Sequence, residues 1–149
     1  MNPGNARLNH WLETIQTLKA PQNQIWLLLQ PTAWKQWWPS VEEVFVVQES
    51  PAPVFGSTYQ LLWKTPYGYS LATRVQVSEW VEGELIELRF CDGLEGFIRF
   101  ALQGKGEISQ LGVCWELASR EAWISPAEME QTLEALAMAS RVRHTTGER

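Results

Sequence analysis

A chain of 149 residues with 45% hydrophobic and 19% charged side chains has the balance of one ordinary globular domain, able to bury about 70% of its unfolded surface. Its net charge of −5 and pI near 5.1 leave no basic footprint for a phosphate backbone or an anionic lipid surface, which argues against nucleic-acid binding and membrane attachment. The longest apolar run, Ile25 to Leu29, falls far short of the roughly 20 residues that span a bilayer, so stable membrane insertion is not expected.

The opening MNPGNARLNHW is polar, and residues 1–9 read as a flexible tail. It lacks the basic-then-apolar order of an export signal, so a cytoplasmic chain is expected, with Cys91 and Cys114 as buried thiols rather than a disulfide. Trp11 to Leu18 is a first strand with poor alternation. Ala20-Pro21 opens a helix whose apolar face is Ile25, Leu28 and Leu29, and Pro31 ends it.

A second short helix, Thr32 to Trp38, is closed by Pro39. Its tryptophans at i, i+3 and i+4 stack Trp34, Trp37 and Trp38 on one side and leave Lys35 and Gln36 on the other. The chain holds nine tryptophans, each worth about 150–250 Å² of buried surface. Such a cluster is core, the wall of an apolar pocket, or a surface for a partner.

Strands follow. Val44 to Val47 is short. In Thr58–Lys64, Tyr59, Leu61 and Trp63 alternate with Gln60, Leu62 and Lys64. Leu71, Thr73, Val75 and Val77 then face one way, as do Ile86, Leu88 and Phe90 in Leu85–Cys91, Ile98, Phe100 and Leu102, and Val113, Trp115 and Leu117. Pro66, Gly68, Glu82-Gly83, Asp92-Gly93 and GKGE (104–107) mark the turns. Five or six antiparallel strands with one apolar face need a cover. Ser125-Pro126-Ala127-Glu128 has capping-box spacing and starts a helix running to about Val142, with Met129, Leu133, Leu136 and Ala137 on its apolar face. The reading is a single α+β domain over residues 10–142, with 143–149 a second flexible tail.

Catalytic sets are missing from this pattern. His10 and His144 lie near the two ends, no metal-ligand spacing exists, and GKGE lacks the frame of a phosphate-binding loop. Strand parity sends Arg74, Glu87, Arg89, Arg99 and Glu116 to the outer face. Tyr59, Thr73 and, at a strand end, Glu79 are the polar groups in phase with the inner face. Glu95 and Arg99 share a face and read as a structural ion pair, unless a bulge at Gly96 reverses the parity. No catalytic residue, metal or cofactor is assigned.

The ordered words "APQNQIWLLLQPTAWKQWWPSV" (20–41), "GSTYQLLW" (56–63), "DGLEGFIRFAL" (92–102), "VCWEL" (113–117) and "REAW" (120–123) resemble the START-like or Bet v 1-like superfamily, and within it the polyketide cyclase/dehydrase and lipid-transport group. The resemblance covers about residues 12 to 137. It implies a helix-grip fold, a curved antiparallel sheet wrapped around a long C-terminal helix, with two short helices closing one end and a hydrophobic tunnel between sheet and helix. The expected activity is binding or transport of a small hydrophobic or aromatic molecule, such as a lipid, polyketide-like or isoprenoid compound. Its expected contacts are Trp37 and Trp38 at the closed end, and Tyr59, Leu61, Trp63, Thr73, Val75, Ile86, Leu88, Phe90, Phe100 and Trp115 on the sheet, over a helix floor of Met129, Leu133 and Leu136. Two alternatives stand beside it: an aromatase/cyclase-like enzyme using Tyr59, Thr73 or Glu79, and a protein-interaction module whose pocket is collapsed.

Overall fold

The computed structural model describes residues 8–48, 56–65, 68–91, 95–119 and 126–147, with side chains within 13–117 and 130–140 of these. In chain order the elements are β1 (Leu8–Leu18), α1 (Gln22–Leu29), a 3-10 helix (Pro31–Gln36), β2 (Val41–Gln48), β3 (Thr58–Lys64), β4 (Ser70–Val81), β5 (Leu85–Phe90), β6 (Glu95–Lys105), β7 (Ile108–Ser119) and α2 (Pro126–Gly147). The described strands form one antiparallel seven-stranded sheet in the order β1-β7-β6-β5-β4-β3-β2. The expected helix-grip architecture is the observed one.

Register brings the apolar positions of neighbouring strands opposite one another. Leu61 faces Thr73, Tyr59 faces Val75, Ile86 faces Phe100, and Ile98 faces Trp115. The result is one continuous inner surface, and α2 sets Leu133 and Leu136 into the same core. Polar bonds fasten α1 across one end of the sheet. Gln22 Nε2 donates to the Gly83 carbonyl at 2.8 Å and the buried Ser109 hydroxyl donates to the Ala20 carbonyl at 2.7 Å.

Several expectations need correction. β1 begins at Leu8 and β2 at Val41, both earlier than alternation suggested, because pairing with β7 and β3 extends them past their apolar stretches. α2 continues to Gly147. The Ser125 cap and the turn residues Pro66 and Asp92-Gly93 lie outside the described residues. His10 is in β1 and His144 in α2, and their side chains lie outside the described ones. Cys91 is exposed just beyond β5 and Cys114 is half-buried, so neither is the buried thiol expected; both are unbridged.

The largest correction concerns β4. Its pairing with β5 steps from Val77↔Leu88 to Glu79↔Glu87, leaving Ser78 as an extra residue. This bulge reverses the parity beyond it. Trp80 turns inward and packs edge-on against Trp26 with ring centroids 4.9 Å apart, while Glu79 moves to the outer face. No register shift occurs at Gly96 in the pairing of β6 with β7. Arg99 bonds to Glu87 at 3.0 Å and to Glu79 at 3.3 Å.

Glu87 does lie on the outer face, yet only 4% of its surface is exposed. Burial alone raises its pKa. A 2.8 Å bond from the Ser78 hydroxyl, the bond from Arg99 and the guanidinium charges of Arg89 and Arg99 outweigh burial and hold the carboxyl below its ordinary value. A lowered folded-state pKa means the unfolded chain takes up the proton first, so this stabilisation is present above the unfolded value and disappears as pH falls through the folded one. The melting temperature should therefore drop as pH falls below about 4.5, and Glu87→Gln should flatten that part of the profile. Parallel profiles for the two proteins would remove Glu87 from the acid response.

Candidate functional site

The tryptophan-rich stretch is built from two prolines inward. Pro31 stops α1, whose C-cap Gln30 sits in the extended region (φ −71°, ψ 140°), so no left-handed residue closes the helix. The last carbonyls of a helix still need donors. Two indoles supply them: Trp34 Nε1 donates to the Leu29 carbonyl at 2.8 Å and Trp37 Nε1 to the Leu28 carbonyl at 2.6 Å. The short helix expected over Thr32 to Trp38 is present as a 3-10 helix over Pro31–Gln36, the tighter winding common in so short a piece. Lys35 and Gln36 remain exposed, as expected from their spacing.

Trp38 is the centre of the cluster. It stacks on Trp37 (5.6 Å, 21°), meets Trp34 at 4.9 Å, and stands edge-on to Trp63 of β3 (5.2 Å, 80°). Trp63 Nε1 donates to the Thr73 hydroxyl at 2.8 Å. Trp34 in turn lies edge-on to Phe100 of β6. The aromatic chain thus ties the 3-10 helix to the inner face of the sheet.

Every expected contact with a described side chain is buried. Trp38, Leu61, Trp63, Thr73, Val75, Ile86, Leu88, Phe100, Trp115, Leu133 and Leu136 are within the closed core, and Trp37, Tyr59 and Phe90 are buried at its margins. Met129 belongs to α2, and its side chain lies outside the described ones. Glu79, the candidate acid or base of the enzymatic alternative, is on the outer face with Arg99.

A solvent-reaching groove of about 850 Å³ lies where the end of the sheet meets the flank of α2. That volume falls in the range of roughly 300–1,000 Å³ typical of ligand sites. Trp37, Trp38, Pro39 and Val41 form one wall and Ala135, Met138 and Ala139 the other, with Lys35, Gln36, Glu42 and Lys64 around the rim. Of the expected contacts, Trp37 and Trp38 line it. Its α2 residues sit beside the Leu133/Leu136 stripe, and the one signal for them in the sequence is Met138, an apolar residue off that stripe and 65% exposed. Among the described residues no cluster of His, Cys, Asp or Glu could hold a metal ion, and no helix is long and apolar enough to cross a membrane.

No family model matches the chain, and no curated protein matches it in sequence. Solved structures do match it in fold. A START superfamily protein from Mycobacterium smegmatis superposes with a TM-score of 0.71 at 19% identity, covering 92% of this chain and 98% of that one. Major latex-like protein 151 from Panax ginseng gives 0.69 at 11% identity, with the same coverage of 92% and 98%. The di-domain ARO/CYC protein StfQ of the steffimycin biosynthetic pathway gives 0.69 at 14% identity over 91% of this chain, which spans 52% of that protein. The chain therefore has the helix-grip fold of START and Bet v 1-like proteins.

Proposed function

We propose that the protein binds one small, mainly apolar molecule in the groove where the end of the curved sheet meets α2, against Trp37 and Trp38. The observation that carries this reading is the groove itself: two mainly apolar walls around a ligand-sized volume, beside the aromatic chain that leads to the inner sheet face. The fold supports it, since its neighbours include a START superfamily protein and an ARO/CYC protein of a biosynthetic pathway. The binding reading is preferred to the cyclase-like one because the inner face offers little for proton transfer. Glu79 has left it, and the Thr73 hydroxyl is engaged by Trp63.

The test compares native and denaturing masses of freshly purified protein, with organic extraction of whatever is released. It is paired with titration of the neutral fluorophore N-phenyl-1-naphthylamine. Saturable binding near one equivalent is expected. Met138→Glu, which places a charge on the groove wall, should weaken it by about tenfold or more while changing stability by less than about 0.5 kcal/mol. A probe that never saturates would sink the binding reading and favour the interaction module.

A further inference from the structure

We infer that the outer face of the β6–β7 hairpin docks a second copy of this chain, across a two-fold axis at Gln103 and Gln110. This surface shares no residue with the groove, so it stands independently of ligand binding.

Three pairs of the hairpin point outward: Ala101 opposite Gly112, Gln103 opposite Gln110, and Lys105 opposite Ile108. Leu102, Leu111 and Ser109, in the pairs between them, are buried on the inner side. The outward pairs differ in height. Ala101 and Gly112 leave a hollow of about 410 Å³ beside Ile15, which lies opposite Gly112 and is 74% exposed. Further along β7, Ile108 projects with 54% of its surface exposed, beside an adjoining depression of about 440 Å³. Gln103 and Gln110 line both.

A hollow and a projecting apolar side chain on one face can fit their own copies. A two-fold axis lying across the hairpin at Gln103 and Gln110 carries the Lys105–Ile108 pair of one copy onto the Ala101–Gly112 pair of the other. Ile108 of each copy then enters the other's hollow, between Ile15 and Ala101.

Charge is a second, independent argument. Glu84 lines the hollow and Lys105 the depression, and neither has an ion-pair partner among the described residues. Glu84 precedes Leu85, which pairs with Ala101. The rotation that seats Ile108 therefore brings Lys105 of one copy beside Glu84 of the other, and does so twice. Glu107, in the turn beyond Ile108, is carried toward Cys114, where it meets one charge of each sign, Glu13 and Arg99. So small a patch falls below the roughly 800 Å² per partner of a standard interface, which makes this a weak dimer with a Kd on the order of 10–100 μM.

Sedimentation equilibrium of the full chain, from about 5 to 500 μM at low salt, tests the contact. The unaltered protein should follow a monomer–dimer equilibrium. Gly112→Val should weaken it by about tenfold or more by filling the hollow, while the monomer stays folded, because a Cβ at Gly112 meets only Ala101, no closer than 3.7 Å. Glu84→Lys and Lys105→Glu should each weaken dimerisation about fivefold, and together they should restore it, because the pair is then merely reversed. Both sites are exposed, so the reversals decide the matter even should the valine variant fail to fold. A protein that stays monomeric throughout would overturn the proposal. A dimer indifferent to a folded Gly112→Val variant, or reversals whose losses add instead of cancelling, would overturn the assignment to this face.

Discussion

Trp34→Ala is expected to lower the free energy of unfolding by about 4 kcal/mol. The indole is fully buried, sits within 4.9 Å of Trp38 and 6.1 Å of Phe100, and donates to the last carbonyl of α1. Truncation removes the ring contacts, opens a cavity and strips the Leu29 carbonyl of its donor at once. Trp34→Phe separates these effects. It keeps most of the packing but leaves the carbonyl unbonded, so its cost should be nearer 2 kcal/mol. Denaturant unfolding of both variants checks the order. If the two costs were equal, the hydrogen bond would carry the whole effect and the packing none. A typical domain holds only about 5–15 kcal/mol in total, so the alanine variant is expected to stand close to the limit of folding.

Gly96→Ala should cost about 3 kcal/mol by a different route. Gly96 has φ +145°, a backbone state that side chains disfavour, and faces Leu117 across the β6–β7 ladder. A Cβ there would overlap the Glu116 carbonyl oxygen and lie 3.0 Å from the Leu117 Cα, both backbone atoms held by sheet pairing. Gly106 is the natural control. Its φ is +62° and a Cβ would meet nothing within 4 Å, so Gly106→Ala should cost only about 1 kcal/mol. Equal losses at the two sites, again by denaturant unfolding, would show that the sheet yields at Glu116 and that steric overlap is unimportant.

The strands read most accurately where both parity and punctuation were clean. β3 has full alternation between Gly56-Ser57 and Thr65-Pro66, and its bounds match expectation residue for residue. β1 was blurred because an edge strand need not alternate: Ile15 is 74% exposed, and the strand exists through its pairing with β7. The bulge at Ser78 was invisible to a period of two, since one inserted residue leaves composition unchanged while exchanging the faces of Glu79 and Trp80. Parity places Glu87 on the outer face, where it lies, but carries no sign that it is buried there. Alternation reports direction, whereas its burial comes from Ser78, Arg89 and Arg99 closing over it.

At the candidate site the sequence pointed to the aromatic side of the groove and missed the other. The i, i+3, i+4 spacing singled out Trp34, Trp37 and Trp38, although it could not say that two of them terminate α1. Ala135, Ala139 and Lys64 belong to the groove through the packing of α2 beside the end of β3, a long-range relation with no local periodicity. Met138 is the exception, because an apolar residue outside the buried stripe stands out from helical periodicity alone.

The pairing of the first strand with the last has a consequence for how the chain reaches this state. Leu8 lies opposite Ser119 and Leu18 opposite Ser109, so β1 has no sheet partner until nearly the whole sheet has been synthesised. Every other ladder joins strands adjacent in sequence and can close as soon as its second member emerges. During translation β1 is thus an early product with a late destination, and completing the sheet requires one large loop closure on top of these local pairings. Until then its backbone is open to pairing with other chains.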